Sequence, residues 1–385
     1  MFSFEFATAN RIIFGAGKLN ELGKQIERGS KHVLFVHGRS PEAIPRVRGI
    51  LSALGVSFTE FQVHGEPTIE VVQEGLRAAR DCEMVIGLGG GSVLDTGKAI
   101  AALATTPGDV FDYLEVIGKG QPLVNAPLPY IAIPTTAGTG AEVTRNAVLE
   151  SREHNVKVSL RSPMLLPRLA LVDPELTYNL PPEITASSGL DALTQLVEPF
   201  VSIKANPMTD AICREGMDYA ARSLRRAYEN GADKEAREGM SIASLFGGLA
   251  LANAALGAAH GFAGPLGGML HAPHGALCAR FLPLVMEANI RAMKSRQPEH
   301  PALERYKEIA RILTGDKDAT AYDGVSWTSE LVNKLKIPRL SAYGMTPEDF
   351  ALREAVQKTQ KASSFKGNPI VLNDRELIGV LEKAI

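Results

Sequence analysis

The segment MVIGLGGGSVLDTGKAIAALA, residues 84–104, decides the fold of the chain. Its first five residues form an apolar run of strand length, three glycines and a serine follow, and helical spacing continues to Ala104. A strand that passes through glycines into a helix leaves backbone N–H groups free at the helix start, where the helix dipole attracts anions. The segment therefore predicts a phosphate- or pyrophosphate-binding turn. The alternative is a tight strand-to-helix turn that binds nothing.

Several residues of this turn are candidates for cofactor binding. The glycines allow an anion to approach the backbone because no Cβ is in the way. The serine hydroxyl can cap the helix or donate to the same oxygens. The candidates are Gly89, Gly90, Gly91, Ser92 and Asp95.

Strands and helices alternate along the first half of the chain. Residues 1–14 read as strands, and further strands are predicted over Val33–Val36, Phe58–Val63 and Pro129–Pro134. Helices are predicted over Leu19–Ile26, Arg46–Leu54 and Thr68–Arg80. This alternation predicts a parallel sheet with helices on both faces. Ligands of such sheets bind beyond the carboxyl ends of the strands, where the glycine turn and residues 37–40 both fall.

A second candidate ligand loop follows the strand that ends at Pro134. The loop reads TTAGTGAEVT, residues 135–144, and is rich in hydroxyl groups and glycine. Its candidate binding residues are Thr135, Thr136 and Thr139. A solvated turn with threonine caps explains the same residues equally well.

The composition is that of a soluble globular protein of two domains. Of 385 residues, 45% are apolar and 22% are charged, and the net charge is −2. This balance favours neither a nucleic-acid nor a membrane partner. The three cysteines lie far apart without a CxxC motif, so neither a disulfide framework nor a thiolate zinc site is expected. No signal peptide or spanning helix is recognisable, which predicts a cytoplasmic location.

The second half of the chain is predicted to be helical. The character changes near residues 178–184, so we expect domains over residues 1–180 and 181–385. One helix, capped by Ser187 or Ser188, carries Asp191, Gln195 and Glu198 on one face because these positions follow i, i+4 and i+7 spacing.

Three of the eight histidines lie within fifteen residues of the second half. A helix predicted over Met240–Ala259 ends at His260, and His271 and His274 follow. Clustered imidazoles with a carboxylate on another helix are the ligands of transition metals. Hydrogen-bonded core histidines are an equally good explanation.

Taken together, these motifs resemble the iron-containing alcohol dehydrogenase family over nearly the whole chain. The resemblance rests on GGGS (89–92) with Asp95 and Lys98, PTTAGTGAEVT (134–144), VDPEL (172–176), GLDALTQLVE (189–198) and the histidine region 260–274.

The resemblance implies a Rossmann-like α/β domain that binds a nicotinamide dinucleotide and an all-α domain that binds one divalent metal ion, Fe²⁺ or Zn²⁺. It implies interconversion of an alcohol and an aldehyde or ketone by metal-assisted hydride transfer, with the substrate between the domains, in a homodimer or larger homo-oligomer. The implied residues fall into two groups. Thr135, Thr136 and Val148, with Lys157 nearby, line the ribose and nicotinamide. Asp191, His260 and His274 hold the metal, and Gln195 stands in place of a third histidine. His271, close to His274 in sequence, is a further catalytic candidate.

The chain departs from the family pattern at Gln195, at Gly264 where many members have a histidine, and at His271 where asparagine is frequent. An enzymatic alternative is therefore a metal-independent enzyme similar to maleylacetate reductase, for which Arg280 is the nearby cation. A phosphate-substrate dehydrogenase or a lyase of the same fold is a less favoured alternative. A non-catalytic binding protein is another.

The residues after the strand Val33–Val36 favour NADP(H) over NAD(H). NAD-preferring relatives place an aspartate there, which binds the ribose 2′-hydroxyl and repels a 2′-phosphate. Here the position is Gly38, followed by Arg39 and Ser40, and a guanidinium with a neighbouring hydroxyl can hold a phosphate. The alternative is that Arg39 is a solvated loop residue.

Overall fold

The computed structural model of the protein describes residues 3–26, 30–154 and 156–385. The chain divides into two compact units. The α/β unit comprises Ala7–Thr136 and Gly140–Asn179, and the helical unit contains Ala137–Thr139 and Leu180–Ile385. The boundary between Asn179 and Leu180 lies next to the predicted division at residue 180.

The α/β unit is built on a six-stranded sheet of order β1-β8-β5-β4-β2-β3 in which every pair is parallel. A separate antiparallel pair joins β6 and β7. The strands are β1 (Ile12–Phe14), β2 (His32–His37), β3 (Ser57–Gln62), β4 (Met84–Gly89), β5 (Tyr130–Pro134), β6 (Asn146–Ser151), β7 (Val156–Arg161) and β8 (Leu169–Val172). The predicted parallel sheet is confirmed.

Helices cover both faces of this sheet because its central strands are apolar on both sides. In β2, Val33 and Phe35 pack into one core cluster with α1, while Leu34 and Val36 pack into another with α2 and α3. The helices of this unit are α1 (Ala43–Ala53), α2 (Ile69–Ala78), α3 (Gly91–Leu103) and α4 (Val110–Tyr113).

The structure differs from the prediction at the start of the chain. Among the described residues of segment 1–14, only Ile12–Phe14 form a strand, and residues 1–2 lie outside the described residues. The predicted helix over Leu19–Ile26 is a 3₁₀ helix, Lys18–Lys24. The Asp173 carboxylate accepts hydrogen bonds from the N–H groups of Gly17 and Leu19, which holds the first turn in this tighter form.

Within the described residues, nine helices of the helical unit pack around one apolar core. The predicted all-α second domain is confirmed. Helix α5 is the central element because nearly all of its residues from Gly189 to Val201 are buried. The helices are α5 (Pro182–Val201), α6 (Pro207–Glu229), α7 (Lys234–Ala254), α8 (Ala258–Leu270), α9 (His274–Arg296), α10 (Ala302–Thr314), α11 (Ala321–Lys334), α12 (Asp349–Lys361) and α13 (Asp374–Ala384).

Two local predictions in this unit are wrong. Helix α7 ends at Ala254 rather than Ala259, because the backbone of Ala255 turns to φ 61°. His260 therefore lies on the first turn of α8. Helix α5 begins at Pro182, so Ser187 and Ser188 lie inside it and donate to carbonyls four residues earlier instead of capping.

No single helix within the described ranges is long and apolar enough to cross a membrane. The pair α7 and α8 passes the same test only when the two are joined across a 99° bend.

Candidate active site

A cluster of four potential metal ligands lies in the helical unit. One ligand atom from each of Asp191, His260, His274 and Cys278 lies within 4.8 Å of the others. Asp191 comes from α5, His260 from the first turn of α8, and His274 and Cys278 from α9. The structure thus brings together the three predicted ligands Asp191, His260 and His274.

Small residues at the helix ends make this convergence possible. A Cβ at Gly275 would lie 2.6 Å from the carbonyl oxygen of Ser187, so the start of α9 packs directly on α5. The same Cβ would lie 3.4 Å from the Cβ of Asp191. Glycine beside His274 therefore places that imidazole against the carboxylate-bearing face of α5.

Glu198 orients His260. Its carboxylate accepts a hydrogen bond from His260 Nδ1 at 2.6 Å and one from the backbone N–H of Ala259 at 2.6 Å. His260 Nε2 lies 3.3 Å from Asp191 Oδ1. In the neutral ring, with its proton on Nδ1, the lone pair of Nε2 faces the cluster. Carboxylate–histidine pairs of this kind fix the tautomer of metal-binding histidines.

Burial and neighbouring charges oppose each other in the cluster. Burial alone would lower the pKa of His260, but the acidic groups around it, including Glu198 and Asp191, raise that pKa well above its usual value. Burial alone would raise the pKa of Asp191, but the two histidines hold it below its usual value. Burial raises the pKa of the Cys278 thiol to about 12. An anionic carboxylate therefore faces imidazoles and a thiol.

The cluster contains a buried acceptor that the protein does not satisfy. Asp191 Oδ1 receives no hydrogen bond of good geometry within the described part of the chain, and neither does Gln195 Oε1 one helical turn away. Such acceptors are costly when buried, and a cation satisfies them. The donor set of carboxylate, imidazoles and thiol fits a divalent transition metal.

The other two predicted residues, Gln195 and His271, lie next to α7 and at the end of α8, respectively. Gln195 Oε1 lies 3.2 Å from the place a Cβ would occupy at Gly247 of α7, so the amide packs against that helix. His271 is exposed, at the end of α8 with φ 50°, and contributes no atom to the four-residue cluster.

The sequence patterns do not identify Cys278 as a potential metal ligand, because it is not part of a CxxC motif. The signal that finds it is the spacing to His274, since residues four apart share one face of a helix. Cys278 Sγ lies 3.5 Å from His274 Nε2.

In the α/β unit, three predicted segments lie at one edge of the sheet. Strands β2, β4 and β5 are neighbours and parallel, so their carboxyl ends meet. The segments that follow them contain the candidates Gly38, Arg39, Ser40, Gly89, Gly90, Gly91, Ser92, Thr135 and Thr136. This is the edge at which such sheets bind ligands.

The glycines of the turn between β4 and α3 have distinct roles. A Cβ at Gly89 would lie 2.5 Å from the side chain of Val93, so the turn requires glycine there. Gly90 precedes the first residue of α3 in an extended conformation, and a Cβ there would meet Thr136 at 3.3 Å. The first N–H groups of α3 have no acceptor within the helix and are available to an anion.

The other predicted cofactor residues make contacts within the protein. Asp95 accepts a hydrogen bond from the backbone N–H of Val148 at 3.0 Å, which ties α3 to β6. Lys157 pairs with Glu66 at 3.0 Å. Thr139 lies in Ala137–Thr139, the loop segment that groups with the helical unit. Their roles toward a cofactor stay predictions.

A buried polar network supports the α/β unit beneath these segments. The ammonium of Lys98, 1% exposed, donates to Thr144 Oγ1 at 3.0 Å and to the carbonyl of Asn146 at 2.7 Å. Nearby Glu142 is also buried, and burial raises its pKa to about 7. Sequence reasoning gave Glu142 no role, because nothing in the motif shows that it is buried.

Comparison with known proteins identifies the family. Residues 9–174 match the model of "Iron-containing alcohol dehydrogenase", and residues 185–385 match that of "Fe-containing alcohol dehydrogenase family, C-terminal". Alcohol dehydrogenase 4 of Schizosaccharomyces pombe is 36% identical over 97% of this chain and 87% of its own length.

Solved structures agree. A 1,3-propanediol oxidoreductase superposes with a TM-score of 0.91 at 31% identity, covering all of both chains. A sulfoacetaldehyde reductase from Bifidobacterium kashiwanohense, solved with NAD⁺, superposes with a TM-score of 0.87 at 28% identity over 100% of this chain and 99% of its own. The two family matches together cover both the parallel-sheet unit and the helical unit, and they define the class of the protein as an oxidoreductase. This chain belongs to the iron-containing alcohol dehydrogenase family and is an enzyme of alcohol dehydrogenase type.

Proposed function

We propose that the protein interconverts an alcohol and an aldehyde or ketone by metal-assisted hydride transfer, with NADP(H) preferred over NAD(H). The observation that carries this proposal is the buried cluster of Asp191, His260 and His274 with its unsatisfied carboxylate oxygen, in a chain of this family. Fe²⁺ and Zn²⁺ are the two ions that suit such ligands.

The residues of the helical unit hold the ion and orient its ligands. Asp191, His260 and His274 supply the ligand atoms, and Glu198 fixes the ring of His260. The bound ion supplies Lewis-acid polarisation of the substrate oxygen. The apolar packing around α5 and α8 keeps bulk water from the ligands, which strengthens their electrostatic interactions.

In the α/β unit, the turn at Gly89–Ser92 binds the pyrophosphate through the helix start. Thr135, Thr136 and Val148 line the ribose and nicotinamide, with Lys157 nearby, a role carried over from the family resemblance. Thr139 is a further cofactor-binding candidate from the hydroxyl-rich loop. The protein's task toward the nicotinamide is alignment with the substrate and exclusion of water.

The functional test is turnover by chelator-treated enzyme. We expect aldehyde-dependent NADPH consumption to disappear after chelation and to return on addition of Zn²⁺ or Fe²⁺. Activity indifferent to both treatments would favour the metal-independent reductase. Absence of turnover with a broad aldehyde panel would leave only a binding protein. Arg280, the cation suggested for a dicarboxylate substrate, donates to the carbonyls of Ile337 and Pro338, which does not support that alternative.

The preference for NADP(H) rests on Arg39. Its side chain is exposed beside the glycine turn, and within the described ranges it makes neither an ion pair nor a hydrogen bond. Glu60, which lies 3.4 Å from His37 at the end of β2, is held by Arg48 through two short hydrogen bonds. A 2′-phosphate would therefore meet an available guanidinium at Arg39.

Arg39→Ala tests this preference. We expect kcat/KM for NADPH to fall about tenfold, the equivalent of one charge-assisted contact, while kcat/KM for NADH changes little. Arg80→Ala is the matched control, because Arg80 is exposed but lies between α2 and β4, at the opposite edge of the sheet. Wild-type enzyme that uses NADH more efficiently would contradict the preference.

The homo-oligomeric assembly and the cytoplasmic location stay predictions.

Gly264 on α8 adds no side chain, and a Cβ there would meet no atom within 4 Å. This space supports an aldehyde bulkier than acetaldehyde as substrate.

A further inference from the structure

The fourth member of the ligand cluster is a cysteine that the family resemblance does not supply. Cys278 is fully buried, and its Sγ is directed into the group formed by Asp191, His260 and His274. Where the resemblance implies a third histidine, the chain has Gln195, whose amide oxygen packs against Gly247 of α7. The four-residue group thus contains one sulfur in addition to a carboxylate and two imidazoles.

We propose that Cys278 is a metal ligand and that it makes this a thiolate-containing site selective for Zn²⁺ over Fe²⁺. The inference rests on the proposed function in that it assumes a metal-binding enzyme, and it names the ligand set and the ion.

The separations of the ligand atoms match four protein ligands in tetrahedral arrangement, and zinc can expand such a site to five ligands, which leaves a position for the substrate oxygen. Bond lengths of about 2.0–2.1 Å to nitrogen or oxygen and about 2.3 Å to sulfur place tetrahedral ligands about 3.3–3.6 Å apart. His260 Nε2 lies 3.3 Å from Asp191 Oδ1, and Cys278 Sγ lies 3.5 Å from His274 Nε2. These two contacts form opposite edges of the four-atom group. All four ligand atoms lie within 4.8 Å of one another.

The charge of the group also suits a divalent ion. Metal binding forms a sulfur–metal bond and releases the thiol proton to solvent. The Asp191 carboxylate and the Cys278 thiolate then contribute two negative charges against two positive charges on the ion.

A thiolate changes which ion the site prefers. Soft sulfur ligands select Zn²⁺, and oxygen and imidazole ligands alone discriminate less. The metal-free enzyme is offered Zn²⁺ and Fe²⁺ together, each buffered by a chelator of known affinity. We therefore expect the wild-type protein to bind Zn²⁺ preferentially. Cys278→Ser should reduce this preference about tenfold or more.

The decisive experiment is the absorption spectrum of the Co²⁺-loaded protein, a probe that needs no turnover. Bound Co²⁺ gives visible d–d bands, and a Co²⁺–thiolate bond adds a near-ultraviolet charge-transfer band. Wild-type protein should show both. Cys278→Ser should keep the d–d bands, lose the charge-transfer band and bind Co²⁺ 10- to 100-fold more weakly. Cys213→Ser, which changes another fully buried cysteine of the same unit, should retain the wild-type spectrum.

The outcomes separate the two proposals. Wild-type d–d bands without a charge-transfer band would overturn the cysteine ligand and leave the metal-dependent function in place. No Co²⁺ spectrum at all, with activity insensitive to chelator, would remove the metal from the proposed function. The wild-type spectrum decides the question even if Cys278→Ser fails to fold.

Discussion

At the scale of single residues, Glu198 links the start of one helix to the orientation of a ligand. One carboxylate oxygen accepts from Ala259 N–H in the first turn of α8, and the other accepts from His260 Nδ1. A carboxylate at a helix start is also favoured by the helix dipole. Glu198 is therefore a positioning residue for His260.

Glu198→Gln replaces one accepting oxygen with a donor amide. We expect the dissociation constant for Zn²⁺ to rise about 10- to 100-fold, because partners of metal-binding histidines typically contribute that much. Titration of the metal-free variant with Zn²⁺ against a chromophoric chelator measures it. Asp210→Asn is the control, since it weakens the buried pair with Arg305 outside the cluster and should lower stability without changing Zn²⁺ affinity. Equal affinities for wild type and Glu198→Gln would contradict the role.

Glu142 makes stability depend on pH. Its pKa is raised by burial from 4.5 to about 7, so between these values the folded protein binds a proton that the unfolded chain does not. The contribution of Glu142 to the free energy of unfolding therefore decreases as pH rises from 4.5 through about 7, and is constant above.

Glu142→Gln removes this contribution. The stability of the variant relative to wild type should increase across that pH range by about 1–3 kcal/mol. Denaturant unfolding at a series of pH values gives the difference, in which the other titrating groups cancel. A stability difference that does not change with pH would show that the carboxyl of Glu142 does not titrate as described.

At the scale of elements, two glycines of the turn between β4 and α3 have different roles, one in packing and one at the proposed binding site. Gly89 is needed for packing against Val93, whereas Gly90 has an extended backbone that any residue adopts. A side chain at Gly90 therefore needs only a small shift of Thr136, whereas one at Gly89 would overlap Val93.

Gly90→Val should raise the dissociation constant for NADPH about tenfold or more, because a branched side chain occupies the approach to the helix start. Quenching or enhancement of NADPH fluorescence measures it. Gly49→Val on α1, where a Cβ meets nothing within 4 Å, is the control for the general cost of valine in this unit. A folded Gly90→Val protein with unchanged affinity would remove the turn from the cofactor site.

At the scale of the whole molecule, the ligand cluster joins three helices that are separated in sequence. Asp191, His260 and His274 lie on α5, α8 and α9, all of which pack into one core. An ion that binds them therefore stabilises the folded helical unit against unfolding.

Removal of the metal should lower the thermal transition of the protein. At free Zn²⁺ 100-fold above its dissociation constant, the stabilisation is about 2.7 kcal/mol, which corresponds to a rise in Tm of about 5–10 °C. Differential scanning calorimetry of chelated and Zn²⁺-loaded samples measures the shift. Mg²⁺, which prefers oxygen ligands, should produce none. Identical transitions with chelator and with Zn²⁺ would contradict the metal site.

The sequence by itself determined the parallel sheet, the helical second half and the family. These follow from local patterns, namely the apolar runs of β2, β4 and β5, the glycine turn and the order of five motifs. Asp191, His260 and His274 came from the family resemblance. The predicted end of α7 at Ala259 and the predicted cap of α5 at Ser187 or Ser188 were wrong. The helices end at Ala254 and begin at Pro182, and the sequence pattern marks neither position.

Only the tertiary structure decided which side chains meet. The sequence gives no sign that Cys278 is a ligand, because no other cysteine lies near it. It joins the cluster because α9 begins against α5 at Gly275. Glu198 was grouped with Gln195 by helical spacing, yet it reaches His260 while Gln195 packs against α7. Periodicity places a residue on a face of its helix. The neighbour that covers this face depends on how separate helices pack, which no local pattern contains.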